Sequence, residues 1–246
     1  IDFRYTDGMS KKLWNEVVAL IKTGTGFPGI FYDPICIRAK ESTGQTPEDA
    51  RNYAIIGCVE TGLPGHEYTP TELVHLNWPK LFELMFNHGH ATMQDFYAPL
   101  FDDKDLDSIQ SFDEFYAWYK SEMEQFTALS MRSIELIETM IPWCFPTPYL
   151  SSLMVGCYEK GMDVTAGACR YNNTGVSTCG LATAVDSLAA IKKVVYDDKR
   201  MTLSQFAKAV NANFEGYDEL RNIVSNHCPK FGNDDDSVDF YMSDLI

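Results

Sequence analysis

The chain has 246 residues, 45% of them hydrophobic, enough to bury a core as one large domain or two small ones. A net charge of −15 argues against nucleic acid or an anionic membrane surface as partner. No apolar run approaches the ~20 residues of a membrane span, and no signal peptide is visible.

In chain order, residues 1–5 look extended and start without a methionine, as a piece of a longer polypeptide would. Apolar positions at helical spacing predict a helix over residues 15–23. Residues 27–32 read as a strand that Asp33-Pro34 ends. Thr46-Pro47-Glu48-Asp49 is a helix start, a cap residue followed by proline in the first turn. Residues 71–87 read as a helix with Leu73, Leu76, Leu81, Leu84 and Met85 on its buried face, kinked or split at Pro79. Asn87-His88-Gly89-His90 reads as its C-cap rather than as a metal site.

Residues 96–107 form an acidic, aromatic surface loop. Ser111 and Glu114 make a capping box for a long helix over residues 112–140, ended by Pro142, Pro146 and Pro148. Phe115, Trp118, Tyr119, Met123, Phe126 and Met131 are its core stripe. Another helix is expected over 150–159, irregular backbone over 161–180, and helices over 182–197, 202–212 and 217–226. The glycine-rich stretch lacks the G-x-x-x-x-G-K-S/T spacing of a phosphate loop.

The seven cysteines are odd in number and contain no CxxC pair, so neither a disulfide framework nor a zinc site is suggested. Reduced thiols in a cytoplasmic protein fit best. Cys58 stands apart from the others. The run Ala54-Ile55-Ile56 reads as a short buried strand, continuing into Gly57-Cys58-Val59-Glu60 and breaking at Thr61-Gly62-Leu63-Pro64-Gly65. On an extended backbone Cys58 and Glu60 would leave the same face, bringing a thiol and a carboxylate into one small volume. A cysteine in an apolar strand is ordinarily a packed thiol, but a carboxylate on the same face needs a partner or a task.

Gly57-Cys58-Val59-Glu60 resembles the cysteine-loop signature of the glycyl radical enzymes, relatives of pyruvate formate-lyase. Lys160-Gly161-Met162-Asp163-Val164-Thr165 with Arg170-Tyr171-Asn172 is similar to the family's "KGxDVTxGGxRYN" run, with Ala168 at its second glycine. Asp186 to Lys193, Asn213 to Tyr217 and Pro229 to Asp236 follow in the family's order. A single cysteine followed by valine resembles the lyase, dehydratase and decarboxylase branches. Thr61-Gly62 with Gly65-His66-Glu67 looks more like arylacetate decarboxylases and hydroxyproline dehydratases.

The resemblance implies an α/β fold, part of a ten-stranded barrel with helices outside, in which residues 1–246 are a central-to-late segment of the catalytic domain. It implies a lyase in which Cys58 becomes a thiyl radical and Glu60 acts as general base. The radical would be stored on a glycine outside this chain, because the family's R-V-x-G-Y/F string is absent; Gly216-Tyr217 matches an ordinary helix junction instead. A radical SAM iron–sulfur activating enzyme, a small-molecule substrate, the remaining part of the enzyme chain and a second copy in a homodimer are the implied partners; no bound cofactor is implied. Two other readings stay open: a thiolate enzyme in which Glu60 assists a nucleophilic Cys58, with the histidine such a cysteine normally wants, His66, near in sequence but separated by a Pro/Gly loop, and a non-catalytic fragment that binds a partner chain.

Overall fold

The computed structural model describes residues 2–93 and 95–246; Ile1 of the extended start lies outside the described residues. Strand β1 (Asp2–Tyr5) leads through α1 (Lys11–Ile21) to β2 (Gly29–Tyr32), which pairs parallel with it, Asp2 opposite Gly29. Asp33-Pro34 ends β2 as expected but also opens a helix that the sequence reading misses, α2 (Asp33–Ser42). Proline fits the first turn because the N–H it lacks would have no partner there. Helix α3 (Pro47–Arg51) starts at the anticipated cap, with the Thr46 hydroxyl accepting the Asp49 N–H at 3.2 Å.

Strands β3 (Ala54–Ile56) and β4 (Glu60–Gly62) form an antiparallel hairpin. The strand expected to be buried is half-buried at Ala54 and Ile55 and exposed at Ile56. β5 (Glu67–Tyr68) and β6 (Val74–Asn77) follow, and β6 corrects the helix expected over 71–87: only α4 (Trp78–Phe86) is helical. The Asn77 side chain accepts the Lys80 N–H at 3.2 Å and Pro79 occupies the first turn, so this proline starts a helix instead of kinking one. Gly89 closes α4 by donating its N–H to the Leu84 carbonyl at 2.8 Å.

Helix α5 (Phe112–Cys144) has the anticipated capping box. Glu114 N–H donates to the Ser111 hydroxyl, and Gln110 and Ser111 N–H donate to the Glu114 carboxylate. It runs through Pro142 rather than stopping there; the Phe145 N–H still reaches the Ile141 carbonyl at 2.8 Å. The expected 150–159 helix is two short pieces, α6 (Pro148–Ser151) and α7 (Cys157–Lys160), parted by Gly156 at φ +99°. A Cβ there would stand 2.5 Å from the Ala168 carbonyl oxygen, so the chain approaches itself too closely for a continuous helix.

The stretch 161–180 is not wholly irregular. It contains β7 (Tyr171–Asn172), parallel to β5, and β8 (Val176–Cys179), parallel to β6. Then come α8 (Leu181–Ile191), a π-helical segment Lys192–Asp197, α9 (Leu203–Asn211), α10 (Asp218–Asn226) and α11 (Asp236–Leu245), the last unforeseen.

The chain divides into two compact units. One comprises the chain up to Leu73 with Glu135–Gly175; its small core is Cys157, Val164, Ala168 and Cys169, packed with Tyr68 and Met154. The other, Val74–Ile134 with Val176–Ile246, packs α4 against α5, α8 and α9 through Phe82, Met85, Phe115, Trp118, Tyr119, Leu188, Ile191 and Phe206. Phe82 stacks on Tyr119 with ring centroids 4.3 Å apart. Met131 departs from the expected stripe and is exposed, while Ile134 is buried. The surface loop over 96–107 is tied to α5: buried Glu122 accepts the Phe101 and Asp102 N–H groups, and Trp118 Nε1 donates to the Asp102 carbonyl.

Helices and paired strands make this an α/β fold. Among the described residues each sheet is two-stranded. Among the described residues no helix is long and apolar enough to cross a membrane.

Candidate active site

The Cys58 stretch is a hairpin turn. Ile56 pairs with Glu60, leaving Gly57-Cys58-Val59 as the loop between β3 and β4. Cys58 sits at the tip with its side chain exposed, and Val59 is exposed beside it. The i, i+2 argument assumed an extended backbone; Gly57 at φ +60° reverses the chain instead. The carboxylate is nevertheless held to the turn, through the backbone. Oε2 of Glu60 folds back over the loop and accepts the N–H of Cys58 at 3.0 Å and of Val59 at 3.1 Å. A Cβ on Gly57 would lie 2.7 Å from that oxygen. The glycine of the GCVE run is therefore required both for its left-handed backbone and for the space it leaves to the carboxylate.

These bonds set the charge of the site. The Val59 N–H first, with the N–H groups of Glu60 and Cys58, holds the Glu60 carboxyl below its ordinary value of 4.5. Glu60 is thus an ionised acceptor at neutral pH. Two other thiols of this unit differ: Cys157 and Cys169 are buried, and burial, with Cys157 beside it, pushes the Cys169 thiol up to about 11.

His66 does not join Cys58. Its Nδ1 engages the Pro64 carbonyl at 3.1 Å within its own turn. A cysteine–histidine contact occurs at Cys179 and His75 instead, 3.9 Å apart on β8 and β6.

Behind the hairpin lies a polar cluster that the sequence reading misses. Glu67 is buried and accepts hydrogen bonds from Lys40 (2.9 and 3.1 Å), Gln45 (2.8 Å), the Leu63 N–H (2.8 Å), Thr69 (2.8 Å) and Asn173 (3.1 Å). Burial alone would push its carboxyl up; the bonds from Lys40, Thr69 and Asn173 outweigh that and leave it below the ordinary value. The trace in the sequence was an acidic residue between Gly65 and Tyr68. Its partner Lys40 lies on α2, the helix taken for a strand ending.

The other family segments prove to be braces. Asp163 accepts from Thr165, from the Thr147 N–H and from the Ser151 hydroxyl, shaping the Lys160–Thr165 turn. The Tyr171 hydroxyl donates to Asp49 at 2.7 Å, and Arg170 pairs with the same carboxylate at 3.1 Å, fastening the run to α3. In the other unit Asp186 accepts the Phe231 N–H at 2.8 Å, joining two of the ordered segments. Gly216 is the turn between α9 and α10.

The family model for pyruvate formate lyase-like proteins matches residues 1–246. The chain is 33% identical over 237 residues to the trans-4-hydroxy-L-proline dehydratase of Clostridioides difficile, covering 96% of this chain and 30% of that one. It is 34% identical over 226 residues to the (2S)-3-sulfopropanediol dehydratase of Klebsiella oxytoca, covering 91% and 27%. The crystal structure of the C. difficile hydroxyproline dehydratase, with trans-4-hydroxy-L-proline bound, superimposes with a TM-score of 0.84 at 31% identity, over 98% of this chain and 30% of that one. The chain thus spans about 30% of the length of the relatives it matches, which are enzymes. With the family model matching over residues 1–246, the chain belongs to the pyruvate formate lyase-like family of glycyl radical enzymes.

Proposed function

We propose that this chain carries the cysteine centre of a glycyl radical lyase of dehydratase or decarboxylase type, with Cys58 as the hydrogen-atom carrier and Glu60 as the base. The observation that carries the reading is the turn itself: one loop presents an exposed thiol and an ionised carboxylate. A glycyl radical on a glycine outside these residues, installed by a radical SAM activating enzyme, would supply the unpaired electron. The exposed position of Cys58 suits such an arrangement, since its sulfur can be approached by another loop.

The Cys58 thiol first loses its own hydrogen atom to the glycyl radical, breaking its S–H bond. The sulfur then takes a hydrogen atom from a substrate carbon, so that one C–H bond breaks and one S–H bond forms. Thiol and C–H bonds are of comparable strength, which keeps the step reversible. Glu60 accepts the proton of a hydroxyl on the radical carbon, and the neighbouring substituent leaves with its bonding electron pair. The product radical then recovers the hydrogen atom from the Cys58 thiol. The dehydratases among the relatives favour a hydroxylated small molecule as substrate.

In this reading the parallel pairs β1–β2, β5–β7 and β6–β8 are sectors of a ten-stranded barrel whose remaining strands come from the rest of the polypeptide. Residues 1–246 would be its central-to-late segment, and the whole enzyme a homodimer.

The test uses the complete enzyme with its activating enzyme. Cys58→Ala is expected to abolish turnover while leaving the glycyl radical signal in electron paramagnetic resonance intact. Glu60→Gln should lose roughly 100-fold or more in turnover with substrate still bound. Turnover in air, or without activation, would overturn the radical mechanism.

A further inference from the structure

We propose that the buried Lys40–Glu67 pair is a positioning device for the Cys58 turn, fixing β4 at its far end so that Cys58 and Glu60 stand at one height and orientation. This rests on the reading of Cys58 and Glu60 as the reacting pair.

The geometry is closed on both sides. Each Glu67 oxygen accepts three hydrogen bonds: Oε1 from Lys40, Thr69 and Asn173, Oε2 from Lys40, Gln45 and the Leu63 N–H. The Lys40 ammonium has three protons and three acceptors, the two Glu67 oxygens and the Thr61 carbonyl. Side-chain exposure is 9% for Lys40 and 1% for Glu67, so solvent cannot replace a lost partner.

What the pair holds is one short piece of backbone. The ammonium grips the carbonyl of Thr61, the residue after Glu60, and the carboxylate grips the N–H of Leu63, the residue after β4. Gly62, between them, pairs with Ala54 in the hairpin stem. The tip makes its carboxylate bonds only within itself, Glu60 to Cys58 and Val59. The stem is therefore secured by directional, charge-assisted bonds from α2, from β5 and from Asn173 just past β7. An apolar contact of similar size in this place would often be as stabilising but would tolerate sliding, so what the pair adds over such a contact is position.

The test again uses the complete, activated enzyme, with turnover expressed per glycyl radical. Lys40→Met removes all three donors at similar length, and Glu67→Gln keeps the shape and removes the charge. Both are expected to activate to the wild-type radical level, to keep KM within about twofold, and to lose between about 10- and 100-fold in turnover per radical, the scale of a small misplacement of reacting groups. Gln45→Leu and Thr69→Val each remove one of the six bonds and guard against loss of folding in the first two. They should lose about 2- to 5-fold per radical, less than the first two variants, while still melting cooperatively a few degrees below wild type, since each removes one bond to a buried carboxylate. Wild-type turnover per radical in folded Gln45→Leu and Thr69→Val, with Cys58→Ala inactive, overturns the positioning role alone. Turnover surviving in Cys58→Ala overturns the reading of Cys58 and this proposal with it.

Discussion

Replacing Gly57 by alanine puts a methyl group 2.7 Å from Glu60 Oε2 and asks an L-residue to hold φ +60°. The left-handed backbone costs about 1–2 kcal/mol, and the clash frees the carboxylate from the Cys58 and Val59 N–H groups. Gly57→Ala should therefore lower the denaturant midpoint slightly and turnover strongly, measured by urea unfolding and by kcat/KM. Glu67 makes a separate, pH-dependent prediction. Its folded carboxyl titrates below the ordinary 4.5, so it stabilises the fold fully above that value. That contribution is lost as the pH falls through the lower, folded value. Urea midpoints measured from pH 7 down to pH 3 should drop more steeply in wild type than in Glu67→Gln; parallel curves would refute the assignment. At this scale the sequence put Cys58 and Glu60 in one short segment but did not show how they meet. Spacing alone put Cys58 and Glu60 on one face of a strand, whereas the carboxylate reaches the turn through backbone N–H groups, and those belong to every sequence alike. Glu67 and Lys40 were invisible for a different reason, since their contact joins segments with no local pattern.

Prolines were the main source of error in reading elements. Pro34 and Pro79 were taken as stops or kinks, and both sit in the first turn of a helix, where proline is preorganised. Pro142 was taken as a stop and lies inside α5. The strand β8 escaped notice because Val176-Ser177-Thr178-Cys179 is bounded by glycines and carries few apolar side chains. Capping residues were more informative: Thr46, Ser111 with Glu114, and Thr202 all mark true helix starts. Thr202 and Gln205 exchange hydrogen bonds at the start of α9, 3.2 and 3.0 Å. Thr202→Ala should cost about 1 kcal/mol of stability, read from the shift in urea midpoint at constant slope. A loss near zero would mean that the packing of Phe206 and Ala209, rather than the cap, fixes this helix.

On the scale of the whole molecule, the α/β class and the family were legible from ordered segments, and the barrel was not visible in the paired strands themselves. Large apolar side chains stand exposed in the unit that carries Cys58: Trp143 at 88%, Tyr149 at 81% and Tyr158 at 89%. Exposed apolar surfaces of this kind mark contacts with other protein. The 246-residue segment produced alone is expected to self-associate, and sedimentation velocity showing a well-folded 27.8 kDa monomer would count against the barrel reading.

The long reach of the parallel pairs also fixes an order of assembly. The Cys58 hairpin closes over a loop of only a few residues and can form as soon as the ribosome has released it. β5 and β6 must wait for β7 and β8, about a hundred residues later. Closing a loop of that length costs on the order of 4 kcal/mol of chain entropy, which the pairing recovers only at the end. Until Asn173 arrives, the Glu67 carboxylate lacks one of its donors and stays open to water. In a growing chain Cys58 is thus synthesised and turned early, while the base of its hairpin is sealed late.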